Sequence, residues 1–106
     1  MHSVSSNAVA DIFSADVDNT KFAFNTNSNT EVTAQCTGIC YIIFNQQNTS
    51  ATDILENDNL LIMNDHYANN SWYRSFTVLI RKGRKYKWRG SGGSIQLQTF
   101  IPFNID

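Results

Sequence analysis

The sequence predicts an all-β fold, a jelly-roll-like antiparallel β-sandwich of about seven or eight strands with a short N-terminal helix. Three observations lead to this prediction. Apolar and polar residues alternate with a period of two along most of the chain, as in strands that bury one face. Turn-forming residues interrupt the alternation at short intervals, and no helical pattern follows residue 14. The 106 residues are the length of one domain.

The first 14 residues differ from the rest and predict a short helix or shaft end, followed by a head domain over residues 15–106. Ser5 or Ser6 provides a helix cap, and Val9, Ile12 and Phe13 fall on one helical stripe. So short a helix is unstable alone in water. The stripe must therefore pack on the chain's own β domain or against copies of itself on a symmetry axis.

The next stretch predicts short strands over residues 21–25, 31–36 and 39–46. Phe22 and Phe24 share one face of the first strand, and Gly38 marks a bend between the other two, which are two strands or one bent strand. Residues 53–65 predict two further short strands around a turn at residues 56–59, with a helical turn as the alternative to the first.

The last third of the chain predicts three strands, separated by turns at Lys82-Gly83 and at residues 90–93. The predicted inward residues are Phe76, Val78, Ile80, Tyr86, Trp88, Ile95, Leu97, Thr99, Ile101 and Phe103. Leu79 and Phe100 fall on the polar side of their strands. We therefore expect a second sheet or a neighbouring subunit to cover these two residues.

The composition gives no reason to expect binding to nucleic acid or insertion into a membrane. The net charge is −1, so no bulk field attracts such partners. No apolar run is long enough to span a bilayer. No basic region followed by an apolar core begins the chain, so we expect no secretory signal.

The sequence predicts no metal site, cofactor or catalytic group. Cys36 and Cys40 are expected as partly buried thiols, with a disulfide as the alternative, and their spacing is not a zinc motif. The carboxylates of Asp53, Glu56, Asp58 and Asp65 match no calcium loop. A small sandwich has little room for the two-carboxylate cleft of a glycosidase, although a cleft between subunits stays open.

Residues 64–73, NDHYANNSWY, predict a surface loop with the chemistry of a saccharide site. Aromatic rings stack on the C–H faces of sugars, and planar amides bind sugar hydroxyls. The alternative is that Trp72 or Tyr73 begins a strand and packs inward. The candidate ligand-binding residues in this loop are His66, Tyr67, Asn69, Asn70, Trp72 and Tyr73.

A second candidate surface is the basic strand, in which Lys85, Lys87 and Arg89 share one face. It predicts either a patch for acidic polysaccharide or phosphate, or an ordinary solvated face that protects a sheet edge. A third interpretation pairs these side chains with acidic residues of a neighbouring subunit. The acidic candidates are Asp53, Glu56 and Asp58.

Three segments resemble parts of bacteriophage tail fibre and receptor-binding proteins. MHSVSSNAVA, at residues 1–10, is similar to a motif that lies there between the fibre shaft and the C-terminal head. VLIRKGRKYKW, at residues 78–88, and the final strand resemble the ends of such heads, and TAQCTGICY, at residues 33–41, resembles their strand–Gly–strand segment.

The resemblance implies a homotrimeric, non-enzymatic head at the tip of a virion's tail fibre, which binds a host saccharide or surface protein. In such a trimer we expect Val9, Ile12, Phe13, Leu79 and Phe100 at the interface between subunits. The alternative functions are a structural module that trimerises or caps the fibre without a ligand, and a polysaccharide depolymerase tip.

Overall fold

The structure, a computed structural model, describes residues 16–104, without the side chains of residues 48–50 and 66–69. The helix predicted over residues 1–14 lies outside the described residues, and so do the interface candidates Val9, Ile12 and Phe13. Residues 16–104 contain no helix and are all-β. The strands are β1 (Val32–Thr33), β2 (Gly38–Glu56), β3 (Asn59–Ile80), β4 (Lys85–Gly90) and β5 (Gly93–Pro102).

Two of these strands are long enough to take part in two sheets. Residues 38–47 of β2 pair with residues 71–80 of β3 on one side and with β5 on the other. Residues 49–56 of β2 pair with residues 59–67 of β3 and with β4, whose far edge carries β1. The described chain therefore has seven strand segments in two antiparallel sheets. We call the sheet with β5 the first sheet and the sheet with β4 the second sheet.

The β2–β3 hairpin is folded back on itself. The side chain of Glu56, the last residue of β2, lies 3.5 Å from that of Arg81. Arg81 directly follows Ile80, which pairs with Gly38 at the start of β2. A straight strand of this length would separate its ends by about 60 Å. A register shift between Gln47 and Thr49 lies where the pairing passes from one sheet to the other.

The hairpin turn follows the sequence prediction. Asn57 and Asp58 have φ values of 47° and 65°, the left-handed conformation that asparagine and aspartate adopt more readily than most residues. Leu60 to Met63 continues as strand immediately after the turn. The prediction of two strands over residues 53–65 is confirmed, and the alternative of a helical turn is wrong.

The core lies between the two sheets and is rich in aromatic residues. The rings of Phe44 in the first sheet and Trp88 in the second are 5.2 Å apart. Phe22 bridges the sheets, with its ring 5.6 Å from Tyr86 and 5.6 Å from Phe100. The predicted inward residues Val78, Ile80, Tyr86 and Trp88 are buried, and Phe76 packs against the core. These predictions are confirmed.

The faces of β5 differ from the prediction because the strand contains a bulge. Ile43 pairs with Leu97 and the next residue, Phe44, pairs with Ile95, so Gln96 is the extra residue. An extra residue reverses which side chains point inward beyond it. Leu97 is consequently 52% exposed, and Phe100 is 1% exposed in the chain's own core. This corrects the expectation that Phe100 forms part of a subunit interface.

Residues 18–25 close the side of the sandwich between β4 and β5. This segment is not a strand, in contrast to the prediction for residues 21–25, because side chains replace a sheet ladder as its hydrogen-bond partners. The Gln98 amide both accepts from the Phe24 N–H at 2.8 Å and donates to the Phe24 carbonyl at 2.9 Å. Phe22 and Phe24 are buried together, as predicted.

Candidate functional site

The predicted binding loop, residues 64–73, lies inside strand β3. Tyr67 pairs with Thr49 and Ser71 pairs with Gln47. Between these two pairs β3 has three residues and β2 has one, so β3 carries two extra residues. The extra residues bend the strand without interrupting it, which corrects the expected loop. The side chains of His66, Tyr67 and Asn69 lie outside the described residues, and Asn70 is exposed.

Trp72 and Tyr73 are exposed on opposite faces of β3. Trp72 is 45% exposed and Tyr73 is 65% exposed. Adjacent strand residues point to opposite sides of a sheet, so the two rings lie on different surfaces of the protein. The predicted alternative, in which Trp72 or Tyr73 belongs to a strand and packs inward, is right about the strand, but neither ring is buried.

The Trp72 side of β3 continues the inner face of the first sheet. Trp72 pairs with Gln46, which is fully buried, and the Arg74 guanidinium lies 4.9 Å from the centre of the Trp72 ring. Stacking of this kind covers part of the indole with a cation. One face of Trp72 is therefore already in contact with the protein.

A buried polar network fixes the bend at this position. The Gln46 amide donates to the Thr52 hydroxyl at 2.9 Å, and its oxygen accepts from the Asn64 amide at 2.9 Å. The network joins both halves of β2 to β3, which holds the bend in one geometry. The period-two alternation puts Gln46 on the same face as Cys40, Ile42 and Phe44, but sequence reasoning missed the network because a glutamine at the end of an apolar run does not show which side chains it will meet.

The Tyr73 side belongs to the outer face of the first sheet. Tyr73 pairs with Asn45, which pairs with Ser94 of β5, so these three residues form one row across the sheet. Beside this row lies a shallow hollow of about 240 Å³, lined by Gln47, Gly92, Gly93 and Ser94. We call it the polar hollow.

The remainder of the outer face is mostly apolar. Its rows across the three strands contain Leu79, Ile39 and Ile101, then Thr77, Tyr41 and Thr99, then Ser75, Ile43 and Leu97. Leu79 is 49% exposed, Leu97 52% and Tyr41 41%. Of the two interface candidates in the described part of the chain, Leu79 is thus available at the surface and Phe100 is not.

The basic strand is largely neutralised within the chain. The Lys87 ammonium is 3.1 Å from Asp58, the Arg89 guanidinium is 3.1 Å from Asp53, and the Lys85 ammonium is 3.9 Å from Glu31. Asp53 and Asp58, which were expected as partners from a neighbouring subunit, pair with these side chains within the same chain. The three basic residues do not form an uncompensated cationic patch.

Glu56 is the centre of a second charged cluster. Its carboxylate, 7% exposed, lies 3.1 Å from Arg84 and accepts a hydrogen bond from the Tyr86 hydroxyl. Burial, followed by this hydrogen bond, raises the pKa of Tyr86 to about 12. Glu56 was also predicted as an intersubunit partner, and it too is paired within the chain.

Cys36 and Cys40 are thiols that are not joined by a disulfide, which confirms the first of the two expectations for them. Cys40 is fully buried in the core, and burial raises its pKa to about 12. Because the thiolate is the reactive form of cysteine, Cys40 is chemically inert at neutral pH. Among the residues the structure describes, no three His, Cys, Asp or Glu side chains are grouped as metal ligands.

Comparison with known proteins assigns the chain to no family. No model of a known protein family matches the chain, and no curated protein matches its sequence. Within residues 16–104, no helix is long and apolar enough to cross a membrane.

Proposed function

We propose that this chain is the receptor-binding head of a bacteriophage tail fibre, which recognises a host cell-surface glycan or protein as a homotrimer and without catalysis. The sandwich, as a variant of the jelly roll, forms the head at the virion's fibre tip. Residues 1–14 form the helix that ends the shaft, with Val9, Ile12 and Phe13 near the trimer axis.

The observation that carries this proposal is the pair of exposed aromatic rings at the centre of β3. Trp72 and Tyr73 are 45% and 65% exposed on a strand held by hydrogen bonds along its length. Exposed rings on a rigid scaffold, with amide and hydroxyl groups beside them, have the composition of a recognition surface.

The apolar rows of the outer face support the association of subunits. Leu79, Leu97 and Tyr41 lie on neighbouring strands and form one exposed patch. A patch of this kind favours contact with another protein surface. Three linked copies raise the effective concentration of a weak glycan site, so that modest single-site affinity is sufficient for attachment.

A glycan array probed with the full chain tests recognition. We expect the wild-type chain to bind a defined set of glycans, and the double variant Trp72→Ala/Tyr73→Ala to lose at least tenfold in apparent affinity, about 1.4 kcal/mol. Met63→Ala is the matched control, because Met63 is an exposed apolar residue of the same strand in the second sheet. Release of reducing sugar from a bound polysaccharide would contradict the non-catalytic proposal.

A structural module that trimerises or caps the fibre is the second candidate. The internal pairing of Lys85, Lys87 and Arg89 favours it, since these residues do not form an uncompensated cationic patch for an acidic glycan. A chain that forms trimers but binds no glycan or host-surface protein would establish this function in place of the first.

A further inference from the structure

The outer face of the first sheet contains a second group of polar residues next to Tyr73. The polar hollow has a volume of about 240 Å³ and opens to solvent. It is smaller than the pockets that hold drug-sized ligands, and it has the size of one sugar ring.

The hollow is held open by backbone geometry. The Gln47 N–H donates to the Gly92 carbonyl at 2.8 Å, which fixes the turn between β4 and β5 against β2. Gly92 has a φ of 69°, a conformation that glycine adopts without strain. A Cβ atom on Gly93 would stand 3.1 Å from the Asn45 carbonyl, so glycine lets the start of β5 lie close against β2 beside the hollow.

The side chains around the hollow offer hydrogen bonds and no charge. Gln47 provides an amide that can both donate and accept, and Ser94 provides a hydroxyl. Ser71 pairs with Gln47 and adds a second hydroxyl on the same face. Since none of these groups titrates near neutral pH, the hollow is suited to a neutral polyol and gives no counter-charge to an anionic ligand.

Tyr73, on β3, is separated by strand β2 from the β5 side of this hollow. It shares a row with Asn45 and Ser94, with β2 between β3 and β5. Two strand spacings place Tyr73 about 10 Å from Ser94, which is the span of two linked sugar rings. An exposed tyrosine ring stacks on the C–H face of a sugar.

We propose that this end of the outer face binds a neutral glycan of at least two rings, with one ring in the polar hollow on Gln47 and Ser94 and the next ring stacked on Tyr73. The inference rests on the proposed function and makes it specific. The two-ring site proposed here lies on the Tyr73 side of β3, and Trp72, with Arg74 stacked on one face of its ring, points to the opposite side.

The test titrates the full chain with neutral disaccharides of glucose, galactose and N-acetylglucosamine and follows the backbone amide signals by NMR. We expect one of these sugars to shift the signals of Gly92, Gly93 and Ser94. Tyr73→Ala and Gln47→Ala should each weaken its binding at least tenfold. Gln96→Ala, a change at an exposed glutamine of β5 outside the hollow, should bind as the wild type does, and Trp72→Ala reports separately on the opposite side of β3.

The outcomes separate this inference from the proposed function. If the wild type binds a glycan that Trp72→Ala loses and Tyr73→Ala retains, the binding surface proposed here is wrong and glycan recognition stands. If the only ligands are acidic glycans whose binding weakens with salt, the neutral hollow is wrong. If no glycan on an array or in the titration binds the wild type, glycan recognition fails and this inference fails with it.

Discussion

At the scale of single residues, the Tyr86 hydroxyl connects the two ends of the long hairpin at one buried point. It donates to the Glu56 carboxylate at the end of β2 and accepts the Arg81 N–H, just beyond β3, at 2.8 Å. The same carboxylate pairs with two arginines that are nearly half exposed. This cluster therefore stabilises the folded-back hairpin mainly through its buried hydrogen bonds, because exposed charges are screened by solvent.

The raised pKa of Tyr86 makes the stability of the fold depend on pH in a specific range. Its pKa rises from 10 in the unfolded chain to about 12 in the fold, so the folded state favours the neutral phenol. The resulting stability is fully present below about pH 10 and is lost as the pH rises toward about 12. We expect the free energy of unfolding, measured with denaturant, to fall in this window. Tyr86→Phe should show a smaller fall, and a variant curve that falls as steeply as the wild type would contradict the assignment.

The matched control for this measurement is Tyr41→Phe. Tyr41 is 41% exposed on the outer face and has no part in the Glu56 cluster. We expect Tyr41→Phe to keep the full wild-type fall in stability. At neutral pH, Tyr86→Phe should be less stable by about 1–2 kcal/mol, because it removes hydrogen bonds to a buried carboxylate and a backbone N–H.

At the scale of elements, the folded hairpin sets where every other strand lies. The first half of β2 pairs with β5 and the second half pairs with β4, along the same edge of one continuous strand. β2 begins at Gly38, which the sequence analysis expected as a bend between two strands. In the structure, Gly38 is needed for close packing. The carbonyl of Ile101 and the ring of Phe100 lie where a Cβ atom on residue 38 would stand.

Gly38→Ala should destabilise the chain by about 1–3 kcal/mol, because its Cβ would stand 2.6 Å from the Phe100 ring inside a packed core. Thermal unfolding measures the effect. Gly93→Ala is the matched control, since its Cβ would be 3.1 Å from the nearest atom, and we expect a smaller loss there. Equal losses in the two variants would contradict the packing role of Gly38.

The sequence predicted the elements whose pattern is regular and missed those that depend on distant partners. Period-two alternation correctly placed Val78, Ile80, Tyr86 and Trp88 in the core. One bulged residue, Gln96, reversed the faces of β5, and no local signal marks such a bulge. Residues 64–73 have the composition of a loop, yet their backbone pairs with β2, which the sequence does not indicate.

The candidate site was predictable only in part. Trp72 and Tyr73 were named from composition, and both are exposed. Their separation onto two faces follows from strand geometry once the loop is corrected to a strand. The polar hollow was not predictable, because Gln47 and Ser94 are brought together by the pairing of β2 with the start of β5.

At the scale of the whole molecule, the inner faces of the two sheets are buried against each other, and the outer face of the first sheet exposes several apolar side chains. Cys40, Ile42 and Phe44 of β2 are fully buried between the sheets. On the other side of the same strand, Tyr41 is exposed beside Leu79 and Leu97 of its neighbours. The proposed trimer buries this apolar part, and the polar hollow at the other end of the face is the part proposed to bind the ligand.

The molar mass of the full chain in solution, measured by light scattering after size-exclusion chromatography, tests this account most directly. We predict three times the 12.0 kDa of one chain for the wild type, and a shift toward the single chain for Leu79→Lys. Leu61→Lys, a change at an exposed leucine of β3 outside the first sheet, should keep the trimer. A wild-type chain that stays monomeric at high concentration, or a trimer that is lost in Leu61→Lys and kept in Leu79→Lys, would contradict the account.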